Sequence, residues 1–245
     1  MVSFKELKSR VQTDFEFNRS EISSFLLAVL VTGIIFSFQD WGADQFDLIF
    51  GLRNLAMVLL LVLITFFFRA SCQKIYGLSE GHKAEFKVWW LGIAIALVVC
   101  FVTLGRLPLI LIGAMSAAFM VRQRLGEFRY GFSYWVQGMI AYWGPMANLI
   151  LAILFAVGLY FAPDSYFFSQ GVMLNLIMAT LSFVPLPQLE GLQIFFGSRV
   201  LYVLGLALVA LAWILLLSQT AFGLITSIVL GTVYGIIYIL IGSEK

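Results

Sequence analysis

Long apolar runs separated by short polar stretches dominate the chain, at about 22–38, 54–68, 88–104, 107–121, 138–162, 170–187, 200–217 and 221–241. A bilayer core is about 30 Å thick and takes ~20 apolar residues per helical crossing. The pattern therefore predicts an all-α, polytopic membrane protein with about seven to eight transmembrane segments. The run at 107–121 is short and holds Pro108 and Gly113, so a re-entrant hairpin stands beside a crossing helix as its reading. Backbone at that depth has to be covered by protein. Ahead of the first run, Phe4, Leu7, Val11 and Phe15 recur at helical spacing among charges. That predicts an amphipathic helix in the interface, the alternative being a solvated tail.

Composition narrows the class. The chain has 245 residues, 62% hydrophobic and 11% charged, with a mean hydropathy of +1.00; soluble domains run near ~25% charged, so an ordinary water-soluble domain is excluded. The runs leave no room for a separate soluble enzyme domain of ~100 residues. We divide the sequence into a cytoplasmic N-terminal segment, 1–21, and one membrane domain, 22–242, with a core at 54–198 and a C-terminal helical pair at 200–241. The lipid bilayer is the implied partner. A net charge of +2 without a basic stripe points to no nucleic acid. Cys72 and Cys100 suggest buried thiols rather than a disulfide framework. The polar stretch before the first run argues against a cleavable leader.

Lys and Arg are retained on the cytoplasmic side of membranes. Eight crossings place thirteen of the fifteen there, including Arg69, Lys74, Lys83, Lys87, Arg122, Arg124, Arg129, Arg199 and Lys245, and leave only Arg53 and Arg106 outside. The expected placement is a multi-pass protein of the cell membrane with both termini cytoplasmic. If 107–121 does not cross, Arg122, Arg124 and Arg129 move outside and the C-terminus changes side.

Two polar elements interrupt the apolar half. In Gly144-Pro145-Met146-Ala147-Asn148 a Gly-Pro break frees backbone groups, and an asparagine one turn on can reach them or a neighbouring helix. A plain kink is the alternative. In Pro185-Leu186-Pro187-Gln188-Leu189-Glu190-Gly191 two prolines end a helix, and a carboxylate follows before Gly191 permits a turn. Glu190 read alone is an interfacial carboxylate that reaches water. In the last run Gly231-x-x-x-Gly235 permits close helix approach.

These elements, in this order and some 40 residues apart, resemble the site-2 protease-like family of intramembrane zinc metalloproteases, most clearly its archaeal branch. That family carries a G-P-x-A-N element and a later N-x-x-P-x-P-x-L-D-G element, whose aspartate joins the two histidines of an H-E-x-x-H helix on zinc. Gly144, Pro145, Ala147 and Asn148 match the first; Pro185, Pro187, Leu189 and Gly191 match the second, with Glu190 at the aspartate position. Upstream, Phe17-Asn18-Arg19-Ser20-Glu21-Ile22, Tyr76-Gly77 and Ala84-Glu85-Phe86-Lys87-Val88-Trp89 extend the likeness over about 17–195.

The departure matters as much. Where the resemblance puts H-E-x-x-H the chain reads Thr65-Phe66-Phe67-Phe68-Arg69, so Thr65, Phe66 and Arg69 stand in place of the two histidines and the glutamate. A catalytic zinc needs about three protein ligands and an open position for water, and the glutamate is the general base. His82, Cys72, Cys100 and Glu190 show no ligand spacing, so no catalytic residues, metal ligands or cofactor are expected. His82 reads as a solvated loop residue. We expect Phe66, Phe67 and Phe68 to fill the former metal cavity. Arg69 either pairs with Glu190 or snorkels to headgroups.

The resemblance thus implies a membrane pseudoprotease that binds transmembrane segments of other proteins or serves as a subunit of a membrane complex. An active protease with unrecognised ligands is the second reading. A small transporter or channel, with discontinuous helices at Gly144-Pro145 and Pro185-Leu186-Pro187, is the third.

Overall fold

A computed structural model describes residues 4–42, 46–119 and 133–243, and the side chains of these except residues 119 and 237–243. Arg122, Arg124, Arg129 and Lys245, which weigh in the topology, lie outside the described residues. The protein is mostly helical: α1 (Phe4–Asp14), α2 (Arg19–Phe36), α3 (Leu48–Ser79), β1 (His82–Val88), α4 (Trp90–Val102), β2 (Gly113–Phe119), α5 (Tyr134–Phe161), α6 (Tyr166–Ser182), α7 (Glu190–Gly197), α8 (Arg199–Leu217) and α9 (Ala221–Ser243). Four helices among the described residues, α2, α3, α5 and α8, are long and apolar enough to cross a membrane. Their outward faces carry Leu26, Leu30, Leu60, Leu63, Leu154 and Val203 exposed, as a lipid-facing surface requires.

The third and fourth apolar runs are not a pair of crossing helices. α4 has 13 residues, ~20 Å at 1.5 Å per residue, short of the bilayer core. The run at 107–121 becomes β2, which pairs antiparallel with β1 in a register from His82↔Phe119 to Val88↔Gly113. Gly105, with φ +77°, turns the chain between them. The pairing sets Phe119 beside His82, so the segment returns to where it started. An apolar run carries no periodicity to separate a buried strand from a helix, which explains the difference from the expected crossings.

The expected N-terminal helix is present as α1. Arg10 Nη1 ties it to the Leu78 carbonyl at 2.9 Å, and Lys83 Nζ meets Asp14 at 2.8 Å and Glu16 at 3.6 Å. Hydrogen bonding to Asp14 foremost, and its charge, raises the Lys83 pKa above the usual lysine range. In the interior, α5 packs along α6 and against α3 and α7. The α5–α7 contact is made by Gly138 and Gly197, where a Cβ on either would come within 2.8 Å of the other's Cα. Gly231 and Gly235 do not act this way: a Cβ on Gly231 would meet only Ile153 Cδ1 at 3.7 Å, and one on Gly235 nothing within 4 Å.

Candidate functional site

Pro145 shapes the site through what it lacks. α5 runs unbroken through it, so the expected Gly-Pro break is absent, but a proline has no N–H to give the carbonyl four residues back. That carbonyl belongs to Ala141, and Gln73 of α3 reaches it with a long hydrogen bond of 3.5 Å from Nε2. The same Nε2 donates to Glu190 Oε1 at 2.7 Å. Gln73 thus links the backbone group freed by Pro145 to the carboxylate at the start of α7. Asn148, which the sequence suggested for this task, is fully buried, and neither its Nδ2 nor its Oδ1 has a partner among the described residues.

The second element folds as α6, a tight turn and α7. The turn uses Gln188 at φ +65°, not Gly191, which lies inside α7. Gly191 is needed for close approach: a Cβ there would sit 2.4 Å from the Val184 carbonyl oxygen and 2.6 Å from the Phe183 carbonyl carbon. The backbone of Pro185-Leu186-Pro187 is thereby folded over the first turn of α7, which drives Glu190 inward. Glu190 is only 2% exposed, so it is not an interfacial carboxylate in contact with water.

Arg69 and Glu190 form an ion pair through Arg69 Nη2 and Glu190 Oε2. Nη2 also donates to Ser182 Oγ at 2.9 Å, and Ser182 in turn donates to the Met178 carbonyl at 2.7 Å. The Arg69 side chain is 12% exposed, which rules out snorkelling. Gly144 makes room for the arrangement: a Cβ there would stand 2.6 Å from Glu190 Oε2 and 2.8 Å from Gln73 Nε2. Beside the pair lies a void of about 30 Å³ bounded by Arg69, Gln73, Ser182 and Glu190, and by apolar side chains that include Ile110, Ile112 and Met115 from β2 and the chain before it.

The neighbouring positions behave differently. Thr65, one turn before Arg69, faces α6 and accepts from Asn175 Nδ2 at 3.2 Å. Phe66 is buried edge-on to Phe25 and Phe86, with centroids 5.7 and 6.4 Å apart. Phe67 is more than half exposed and stacks on Phe17, and Phe68 is only partly buried; a three-residue filling is therefore wrong, since consecutive helical positions cannot share one face. His82 is buried on β1 rather than solvated, with Nδ1 2.8 Å from the Glu80 carbonyl. Cys72 and Cys100 are free thiols.

Gln73 and Ser182 are the site residues that the sequence did not announce. Gln73 had a signal, since a proline at 145 demands a donor for the 141 carbonyl; Ser182, at the end of α6, had none.

These donors do not suit zinc. Glu190 is the one carboxylate in the cluster and is already engaged by Arg69 and Gln73, while Arg69 brings a positive charge to the spot. No group of three or more His, Cys, Asp or Glu that could hold a metal occurs among the described residues.

A second hollow, of about 340 Å³, lies beside β2 and is lined by Ser116, Gln137, Gln193 and Phe196 among others. Gln193 Nε2 reaches the Met115 carbonyl there at 3.3 Å, and the Oε1 atoms of Gln137 and Gln193 have no partner among the described residues.

No protein-family model, curated protein or solved structure matches the chain.

Proposed function

We propose that the chain is a membrane pseudoprotease of the site-2 protease-like family, which binds extended or transmembrane segments of other proteins without cleaving them. The supporting observation is the ion pair between Arg69 and Glu190. In the resemblance these positions belong to two ligands of one metal, and a direct contact between them, 121 residues apart in sequence, is what replacement of metal by an ion pair would leave. An arginine there forms a charge-assisted pair with the carboxylate but cannot activate water for hydrolysis.

The binding role draws on β2. Its side facing β1 is paired. The Met115 carbonyl faces the other way, since Gln193 meets it from α7, and alternation along a strand sends the backbone groups of Ala117 the same way. An extended segment added at this edge takes its affinity from main-chain hydrogen bonds, and the hollow beside Ser116 gives it room.

The test uses the purified full chain with a photo-crosslinking residue at Ser116 and, as control, at the exposed Leu204 of α8. The probe is a synthetic single-span peptide with a Gly-Pro pair in its apolar stretch. Crosslinking at 116 and not at 204, with the peptide recovered intact and no stoichiometric zinc in the protein, is the expected result. Cleavage of the peptide, or zinc that survives mild chelation and is lost in Glu190→Ala, would establish the active-protease reading instead.

A further inference from the structure

Arg69 has more donors than its partners use. Nη2 is committed to Glu190 and Ser182, whereas Nη1 is shielded from solvent and has no partner among the described residues. A buried donor on a charged group is costly to leave unmet, and Arg69 is one of the residues that bound the void beside the pair. We propose that Arg69 is a receptor for one backbone carbonyl of a bound extended segment, with Nη1 donating to that oxygen. This rests on the client-binding reading above and names the group that the site takes.

Size and charge select the ligand. At about 30 Å³ the void matches the space of one water-sized oxygen, which is too little for a phosphate. The guanidinium is already matched by Glu190, so a second anion would place two negative charges around one positive charge in an apolar enclosure; a neutral acceptor does not. The other polar groups are engaged, Gln73 Nε2 with Glu190 and Ala141, and the Ser182 hydroxyl with Met178. Arg69 is thus the charged donor with capacity left.

Position selects the source. The void is bounded by Ile110, Ile112, Gly113 and Met115, the stretch that leads into β2 and begins it. A chain laid along β2 runs beside this stretch, and in the proposed complex one of its carbonyls is set against Nη1. Where the family's metal would polarise a carbonyl for attack, Arg69 holds one with no nucleophile to follow.

The experiment uses the full chain in detergent and a dansyl-labelled apolar decapeptide amide, with one central tryptophan to fix its register, read by fluorescence polarisation. Each peptide carbonyl in turn is replaced by a thioamide, whose sulfur is larger and a weaker acceptor. One position is expected to lose affinity about tenfold, as fits a hydrogen bond to a charged donor, while its neighbours change little. That loss should vanish in Arg69→Met/Glu190→Leu, a pair of apolar replacements that leaves no lone charge. If the parent peptide binds but the scan is flat, or the loss persists in the double variant, the void holds only water and the carbonyl receptor is refuted while client binding stands. If the parent peptide fails to bind the unmodified chain, both readings fall.

Discussion

Lys74 Nζ lies 2.9 Å from Glu21 Oε2, with side chains 6% and 2% exposed, and joins α3 to the first turn of α2. Both groups have further partners: Lys74 donates to the Glu16 carbonyl at 2.9 Å, and Glu21 Oε1 accepts the Phe86 backbone N–H of β1 at 2.9 Å. One ion pair therefore fastens α2, α3 and β1 to the segment that carries α1. Removing either partner strands a buried charge, which costs ~3–5 kcal/mol. Lys74→Met and Glu21→Leu should each lower the unfolding temperature in detergent sharply, and the double replacement should recover part of the loss. Additive losses would show that the two charges do not act as a pair.

The Arg69–Glu190 pair should behave in the same way but with a different third party. Glu190→Ala strands Arg69, again at ~3–5 kcal/mol, and Arg69→Met leaves the buried Glu190 without its positive partner. The double variant Arg69→Met/Glu190→Leu should approach the parent's stability. Gln73→Leu should also destabilise, by ~1–3 kcal/mol, because both Glu190 Oε1 and the Ala141 carbonyl lose their donor. A Gln73→Leu protein as stable as the parent would remove Gln73 from the site.

How much of this could be read beforehand depends on the range of the signal. Apolar runs place α2, α3, α5 and α8 because each is a local pattern long enough to settle its own class. The β1–β2 pair escapes such a reading, since 107–121 is equally apolar as strand or helix and only its partner at 82–88 decides. The Arg69–Glu190 contact was one of two alternatives that the resemblance suggested, and no local pattern chose between them. Lys74 and Glu21 were not legible, because a lysine and a glutamate 53 residues apart look like ordinary loop charges until the fold buries them. Asn148 shows the opposite limit: it stands one turn after Gly144-Pro145, yet Gln73 does the bonding expected of it.

Gly144→Ala separates a site glycine from an incidental one. The added methyl would lie 2.6 Å from Glu190 Oε2 and 2.8 Å from Gln73 Nε2, so the pair must shift, at an overpacking cost of ~1–3 kcal/mol. Gly231→Ala meets only Ile153 at 3.7 Å and should gain from the better helix propensity of alanine, by up to ~1 kcal/mol. Unfolding of both variants in detergent gives the comparison. Equal effects would mean that Gly144 is no tighter than Gly231.

Lys83 carries a dependence on pH. Its folded pKa is raised, first by the hydrogen bond to Asp14, so its contribution is fully present below the unfolded value of ~10.4 and is lost as pH rises through the higher folded value. The groups facing it are Asp14 and Glu16. A titration of 15N-labelled lysine by NMR should find the Lys83 midpoint above the ordinary range, and Asp14→Asn should bring it down further than Glu16→Gln does. A Lys83 midpoint that ignores Asp14→Asn would mean that the contact at the end of α1 is not held in solution.

The return of the chain through β2 makes a claim about sides. Lys87 and Tyr134 are both exposed and flank the unit made of α4 and β2. If the third and fourth apolar runs crossed separately, they would still restore the side, so labelling the two flanks alone cannot distinguish the arrangements. The tip decides. Arg106 lies in the turn after α4, exposed, and a helix of ~20 Å leaves it short of the far surface. With single cysteines at 87, 106 and 134 in sealed vesicles, a membrane-impermeant maleimide should label 87 and 134 from one common side. Position 106 should label poorly from both. Rapid labelling of 106 from the side opposite to 87 would show two full crossings, and β2 could not then pair with β1 at the register from His82↔Phe119 to Val88↔Gly113.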